Sequence, residues 1–236
     1  MSESKISDFK MLEKTSFSGI NTEKIVETYM RVVKEKEKKI GREYTSTFIK
    51  NMLRLTVHLA GTEVSEEVRT LDQLEKYLLS KKDELRVPPH FLVFWVHFIT
   101  DEMFESSQDS LTQLTFSVPA KRLMERDSEI GTKKFDVDQI LVKLRRLTVS
   151  MKVAPPEFGY RKNADGSIDI LYGHCPFFEG CEKSWEQNLA RRRDGRIICG
   201  ATLFVSQFLG LATNQEWDHA LLEFDKTRCI ARCFPT

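Results

Sequence analysis

The sequence predicts an α+β fold, with helices first and a mostly antiparallel sheet with packed helices after them. Three observations carry this. Apolar residues recur at helical spacing from Ile25 to Leu78, and short alternating runs separated by turn signals follow in the second half. The composition, 41% hydrophobic with 16 Phe in 236 residues, is ample for a core. The organisation expected is a flexible terminus over 1–20, a helical portion over 21–110 and an α+β portion over 111–236, together one compact domain.

The elements follow in order. Asn21 is a plausible N-cap for a helix through Ile25, Val26, Tyr29 and Val33, with Lys34 to Lys39 as its solvated end and Gly41 as its break. A second helix carries Phe48, Ile49, Met52, Leu53 and Leu59, with Gly61 as a stop. Thr70 with Gln73 is a capping box opening a third helix, whose Leu71, Leu74, Tyr77 and Leu78 share one face. The apolar run Phe91 to Ile99 fits a buried helix or a central strand, and periodicity alone does not choose. Leu114, Phe116 and Val118 alternate as a strand would, and so do Leu147, Val149, Met151 and Val153. Between these runs, Asp136 with Gln139 caps a helix bearing Val137, Ile140, Leu141 and Leu144. Asn163-Ala164-Asp165-Gly166 is a turn between two short strands, the second of which runs from Ile168 to Tyr172 into His174-Cys175. Gly200 to Leu211 reads as a buried helix, and Trp217 to Cys233 as one closing strand.

Charge and hydropathy exclude some classes. A net charge of +1 gives no electrostatic case for nucleic acid. The residues from Met1 to Lys14 carry no apolar signal core, and no apolar run approaches the about 20 residues that a bilayer requires. A cytoplasmic protein without membrane contact is expected. The cluster Arg191-Arg192-Arg193 with Arg196 reads as a solvated face, and His58, His90 and His97 as structural. No phosphate loop, nucleophile elbow or HExxH is present.

All five cysteines, Cys175, Cys181, Cys199, Cys229 and Cys233, lie in the last quarter of the chain. In a reducing compartment such thiols read as ligands or redox groups before disulfides. Pro176 and Gly180 make the Cys175–Cys181 segment a turn that brings both sulfurs together, with His174 beside it. Cys199 precedes a helix, where the dipole is expected to lower its pKa. On a continuous strand, Cys229 and Cys233 would be about 13 Å apart. Thiolates bound at about 2.3 Å cannot then share one zinc, so joint ligation requires a turn after Thr227.

Three stretches carry a resemblance: His174-Cys175-Pro176-Phe177, then Cys199-Gly200 through Phe208-Leu209-Gly210, then Leu222-Glu223 with Cys229 to Cys233. Over about 65 residues this order is similar to the 4-vinyl reductase domain, which shares its fold with small subunits of the TRAPP tethering complex. The family usually has a longer spacing between its last two cysteines, where this chain has Ile230, Ala231 and Arg232. The resemblance implies a module that binds small hydrophobic ligands or metals, often as the sensor half of a regulator.

The expected function is therefore a binding or sensor module. Its thiols Cys175, Cys181, Cys199 and Cys229 would hold zinc or an iron–sulfur cluster, with Cys233 as substitute and His174 as alternative ligand. Phe177, Phe178, Phe204 and Phe208 would wall a pocket for a small hydrophobic molecule, and the N-terminal helices would support a homodimer. The alternative is a cysteine-dependent hydrolase, distantly resembling the aminothiazoline-carboxylate hydrolases, with Cys199 as nucleophile and His174 or His219 as base.

Overall fold

The computed structural model of the chain describes residues 6–14, 21–57, 67–85, 136–150, 155–175 and 199–236, with shorter pieces between 89 and 125 and between 177 and 197. The fold is α+β. The chain divides into two compact units, one made of Met1–Ile20 with Ala120–Thr236 and the other of Asn21–Pro119, where the sequence suggested one domain.

The second unit is helical. Its α1 (Thr22–Ile40) is capped by the Asn21 side chain, which accepts from the Lys24 amide at 3.0 Å. The face bearing Ile25, Val26, Met30 and Val33 is buried. Gly41, at φ 107°, ends α1 and lets α2 (Arg42–Leu55) start at once; this backbone region strains any other residue. The expected capping box opens α3 (Leu71–Ser80): Gln73 N–H donates to Thr70 Oγ1 at 3.2 Å, and Thr70 N–H to Gln73 Oε1 at 3.0 Å. Lys34 ties α1 to α3 through Asp72 at 2.6 Å and Glu75 at 3.2 Å. Pro89, His90, Leu92, Val93, Val96, His97 and Thr100 are all helical, so the described part of the ambiguous apolar run is helix; Phe91, Phe94, Trp95, Phe98 and Ile99 lie outside the described residues. So do His58, Leu59, Gly61, Leu114, Phe116 and Val118, although Ser117, inside the expected strand, is helical.

In the other unit, α4 (Val137–Ser150) opens on reciprocal bonds between Asp136 and Gln139, at 2.9 and 3.2 Å. Leu147 and Val149 belong to this helix rather than to a strand. Leu147 stands three residues beyond Leu144 and so continues the apolar stripe, while Met151 and Val153 lie outside the described residues. The sheet is built from β1 (Lys10–Met11), β2 (Glu157–Lys162), β3 (Ile168–Gly173), β4 (Trp217–Phe224) and β5 (Arg228–Pro235), with α5 (Gly200–Thr213) preceding β4. Its order is β1-β2-β3-β5-β4, and every neighbouring pair is antiparallel.

Two expectations are corrected here. Trp217 to Cys233 is a hairpin, turned where the Asp225 carboxylate accepts from the Thr227 amide at 2.8 Å, a turn that uses neither Gly nor Pro. Within the expected flexible terminus, a short 3-10 turn at Ile6–Asp8 leads into Lys10–Met11, which joins the sheet. There β1 pairs with β2, and Phe9 packs on Leu171 and Ile230 on the outer face. Asp169 is fully buried on that face, taking Arg161 at 2.7 Å and Arg232 at 2.6 Å.

Register sorts the inner face into rows. Phe158, Tyr172, Cys229 and Phe224 stand side by side, and Ile168, Cys233 and His219 form another row. Against them pack Ile140, Leu141 and Leu144 of α4 and Val205, Phe208 and Leu209 of α5. Among the described residues no helix is long and apolar enough to cross a membrane.

Candidate thiol cluster

Cys229 and Cys233 belong to the core beneath the inner face, and Cys175 and Cys199 pack against it. Cys175 follows β3 directly, after His174 turns the chain at φ 51°. The segment to Cys181 begins a helical turn, with Phe178 N–H donating to Cys175 O at 3.1 Å and Cys181 N–H to Phe177 O at 3.0 Å. Cys199 is the N-cap residue of α5, its carbonyl taking the Leu203 amide at 2.8 Å. Cys229 and Cys233 are buried on β5. All five are free thiols, each pushed above its ordinary pKa by burial. Cys229 is raised to about 11.

Cys175, Cys181, Cys199 and Cys229 lie within electrostatic reach of one another. A thiolate at Cys199 raises the other three, and Cys181 also feels Cys175 and Cys229. Cys199 is set apart by its donors. The amides of Ala201 and Thr202 and the Thr202 hydroxyl, 3.1 Å from the sulfur, all favour its thiolate. These helix-terminal donors fall short of the cost of burial, so the expected lowering of its pKa is replaced by a net rise.

Cys233 also feels the Cys199 charge, but it cannot join Cys229 on one ion. It shares a continuous strand with Cys229, four residues on, and the chain does not turn between them. Their Cα atoms are therefore about 13 Å apart, and the two sulfurs cannot bind one ion together. Cys233 donates instead to Thr202 O at 3.9 Å. His174 is exposed, near Glu157, which Lys14 engages. His219 is buried opposite Cys233. Among the described residues no three side chains of His, Cys, Asp and Glu form a ready-made metal group.

The aromatic residues divide. Phe208 is fully buried and Phe178 stacks on Phe224 at 4.6 Å, so both belong to the sheet–helix core. Phe177 and Phe204 are only partly buried, Phe204 lying 6.5 Å from Phe208. Arg191, Arg192, Arg193, Arg196, Pro176 and Gly180 lie outside the described residues.

Two residues of the site escaped the sequence reading. The Thr202 hydroxyl is 3.3 Å from that of Tyr172, and having one proton it donates to either Tyr172 or Cys199. Tyr172 is fully buried, its phenol raised well above the ordinary value by burial and then by Cys199, Cys233 and Cys175. The signal was available: Thr202 is three residues after a helix-capping Cys, and Tyr172 shares the inward phase of Ile168 and Ile170. A scan of family models, a search of curated proteins and a search of solved structures found no match to this chain.

Proposed function

We propose that this chain is a binding or sensor module in which Cys175, Cys181, Cys199 and Cys229 hold zinc or an iron–sulfur cluster. The reading rests on Cys175, Cys181, Cys199 and Cys229, free thiols from three stretches of chain that lie close enough for a charge at Cys199 to act on the other three. The donor chemistry suits either group, since both take thiolate ligands. Bound there, the metal would supply charge that stabilises thiolates otherwise suppressed by burial. At Cys199 three donors would favour the thiolate that a metal binds. Side-chain rotation must close the set, because no metal group is ready-made among the described residues. The resemblance to the 4-vinyl reductase domain agrees with this reading, and a small hydrophobic ligand beside Phe177 and Phe204 belongs to the same proposal.

A second reading rests on the donors around Cys199, which also suit a nucleophile. The proposed bases are badly placed for it. His174 is exposed beside Glu157, and His219 is paired in register with Cys233.

The test is metal and acid-labile sulfide analysis of untagged protein purified anaerobically, with Cys199→Ser alongside. Stoichiometric zinc, or iron with sulfide, that disappears in Cys199→Ser supports the cluster. Metal-free wild type that resists reconstitution sinks it, and thiol-dependent turnover would favour the nucleophile.

A further inference from the structure

The row at the far end of β5 carries chemistry that the four-thiol cluster does not use. His219 is 1% exposed, and neither ring nitrogen has a hydrogen-bond partner among the described residues. A buried polar group left so is destabilising, a cost that a bound partner would remove. Register sets His219 directly opposite Cys233, which is fully buried, and side chains so paired rise from the same face with Cβ atoms about 4.5–5.5 Å apart. The carboxylate of Asp218 stands 3.6 Å from His219 Nδ1.

We infer that His219 and Cys233 form a site for a soft monovalent cation of low coordination number, Cu(I). The Cys233 thiol gives up its proton to solvent, and its sulfur and the lone pair of His219 Nε2 bind the cation. Asp218 lies beyond hydrogen-bond distance of Nδ1, and its negative charge favours a cation bound beside the ring. Thiolate and imidazole suit Cu(I), whereas zinc demands four ligands in a tetrahedron. A bare Cys233 thiolate is opposed by burial and by the negative charges of Cys199, Asp218 and Asp169, and a cation here relieves that opposition. Strand geometry separates this pair from Cys229, so the site stands apart from the cluster proposed above.

The experiment uses the full, reduced chain with Cys175→Ser and Cys181→Ser, which weakens the other cluster, titrated with Cu(I) against a chromophoric Cu(I) chelator. One equivalent should resist the chelator, and adding Cys233→Ser or His219→Gln should release it. In parallel, ¹⁵N NMR of labelled histidine should show His219 Nε2 shifting on Cu(I) addition in the parent and not in the near-isosteric Cys233→Ser. Equal retention in all variants, or an unmoved His219 nitrogen, overturns the site. Zinc or iron content of wild type reads the other cluster independently, so the two proposals fail separately.

Discussion

The Thr202 hydroxyl lies 3.1 Å from the Cys199 sulfur across the first turn of α5, and it is the side-chain bond that most favours that thiolate. Thr202→Val keeps the shape and removes the donor. The Cys199 thiol is then pushed further up, and its alkylation by iodoacetamide at about pH 8.5 should slow severalfold. An unchanged rate would show that the amides of Ala201 and Thr202 suffice without the hydroxyl.

The raised thiols set a pH limit on the metal-free fold. An unfolded cysteine ionises near pH 8.5, while the folded thiols hold their protons higher, Cys229 to about 11. Between those values the unfolded state binds fewer protons, so stability falls as pH rises. The slope is up to about 1.4 kcal/mol per pH unit for each thiol. Urea midpoints of reduced, metal-free protein at about pH 7.5 and 9.5 measure it. A flat profile would mean that the thiols are solvated. Zinc should restore stability at the alkaline end.

The helical unit is limited on the acid side. Burial pushes His90 down to about 4 and His97 well below the ordinary histidine value. Stability from keeping them neutral is present above about pH 6.5 and is lost as pH falls towards 4. His90 alone represents about 3 kcal/mol. His90→Leu should flatten the loss, followed by helical circular dichroism between those pH values.

Arg145 is a buried guanidinium that holds three main-chain carbonyls, Pro155 at 2.6 Å, Pro156 at 3.0 Å and Glu13 at 3.3 Å. Arg145→Leu leaves them without these donors and should cost about 2–3 kcal/mol in chemical denaturation. Protease cleavage around residues 6–14 should also become faster than in wild type. If cleavage is unchanged, Phe9 and β1 hold the segment by themselves.

Local chemistry was legible where it was self-contained. Asn21, Thr70 with Gln73, and Asp136 with Gln139 capped helices as read, because a cap needs only residues three apart. The β4–β5 turn was missed because Asp225 and Thr227 close it without Gly or Pro. Leu147 and Val149 alternate with polar residues, yet Leu147 also fits the helical stripe, and the longer pattern won. That all five cysteines lie in the unit of Ala120–Thr236 followed from their position in the chain. The Cys199 pKa did not, because burial is a property of the folded molecule and here outweighs the helix dipole. Tyr172 and Thr202 carry no motif, and only packing reveals them.

The short strand β1 also bears on how the sheet is made. Lys10 and Met11 pair with Tyr160 and Gly159, and Phe9 packs against Ile230. On a translating ribosome, at about 5–20 residues per second, this segment waits roughly 10–40 s for those partners to be synthesised. The edge of β2 is therefore closed by a segment made long before it, in a contact of very high sequence separation, the kind that forms slowly. Until that closure Phe9 lacks the apolar neighbours Leu171 and Ile230 that cover it in the fold.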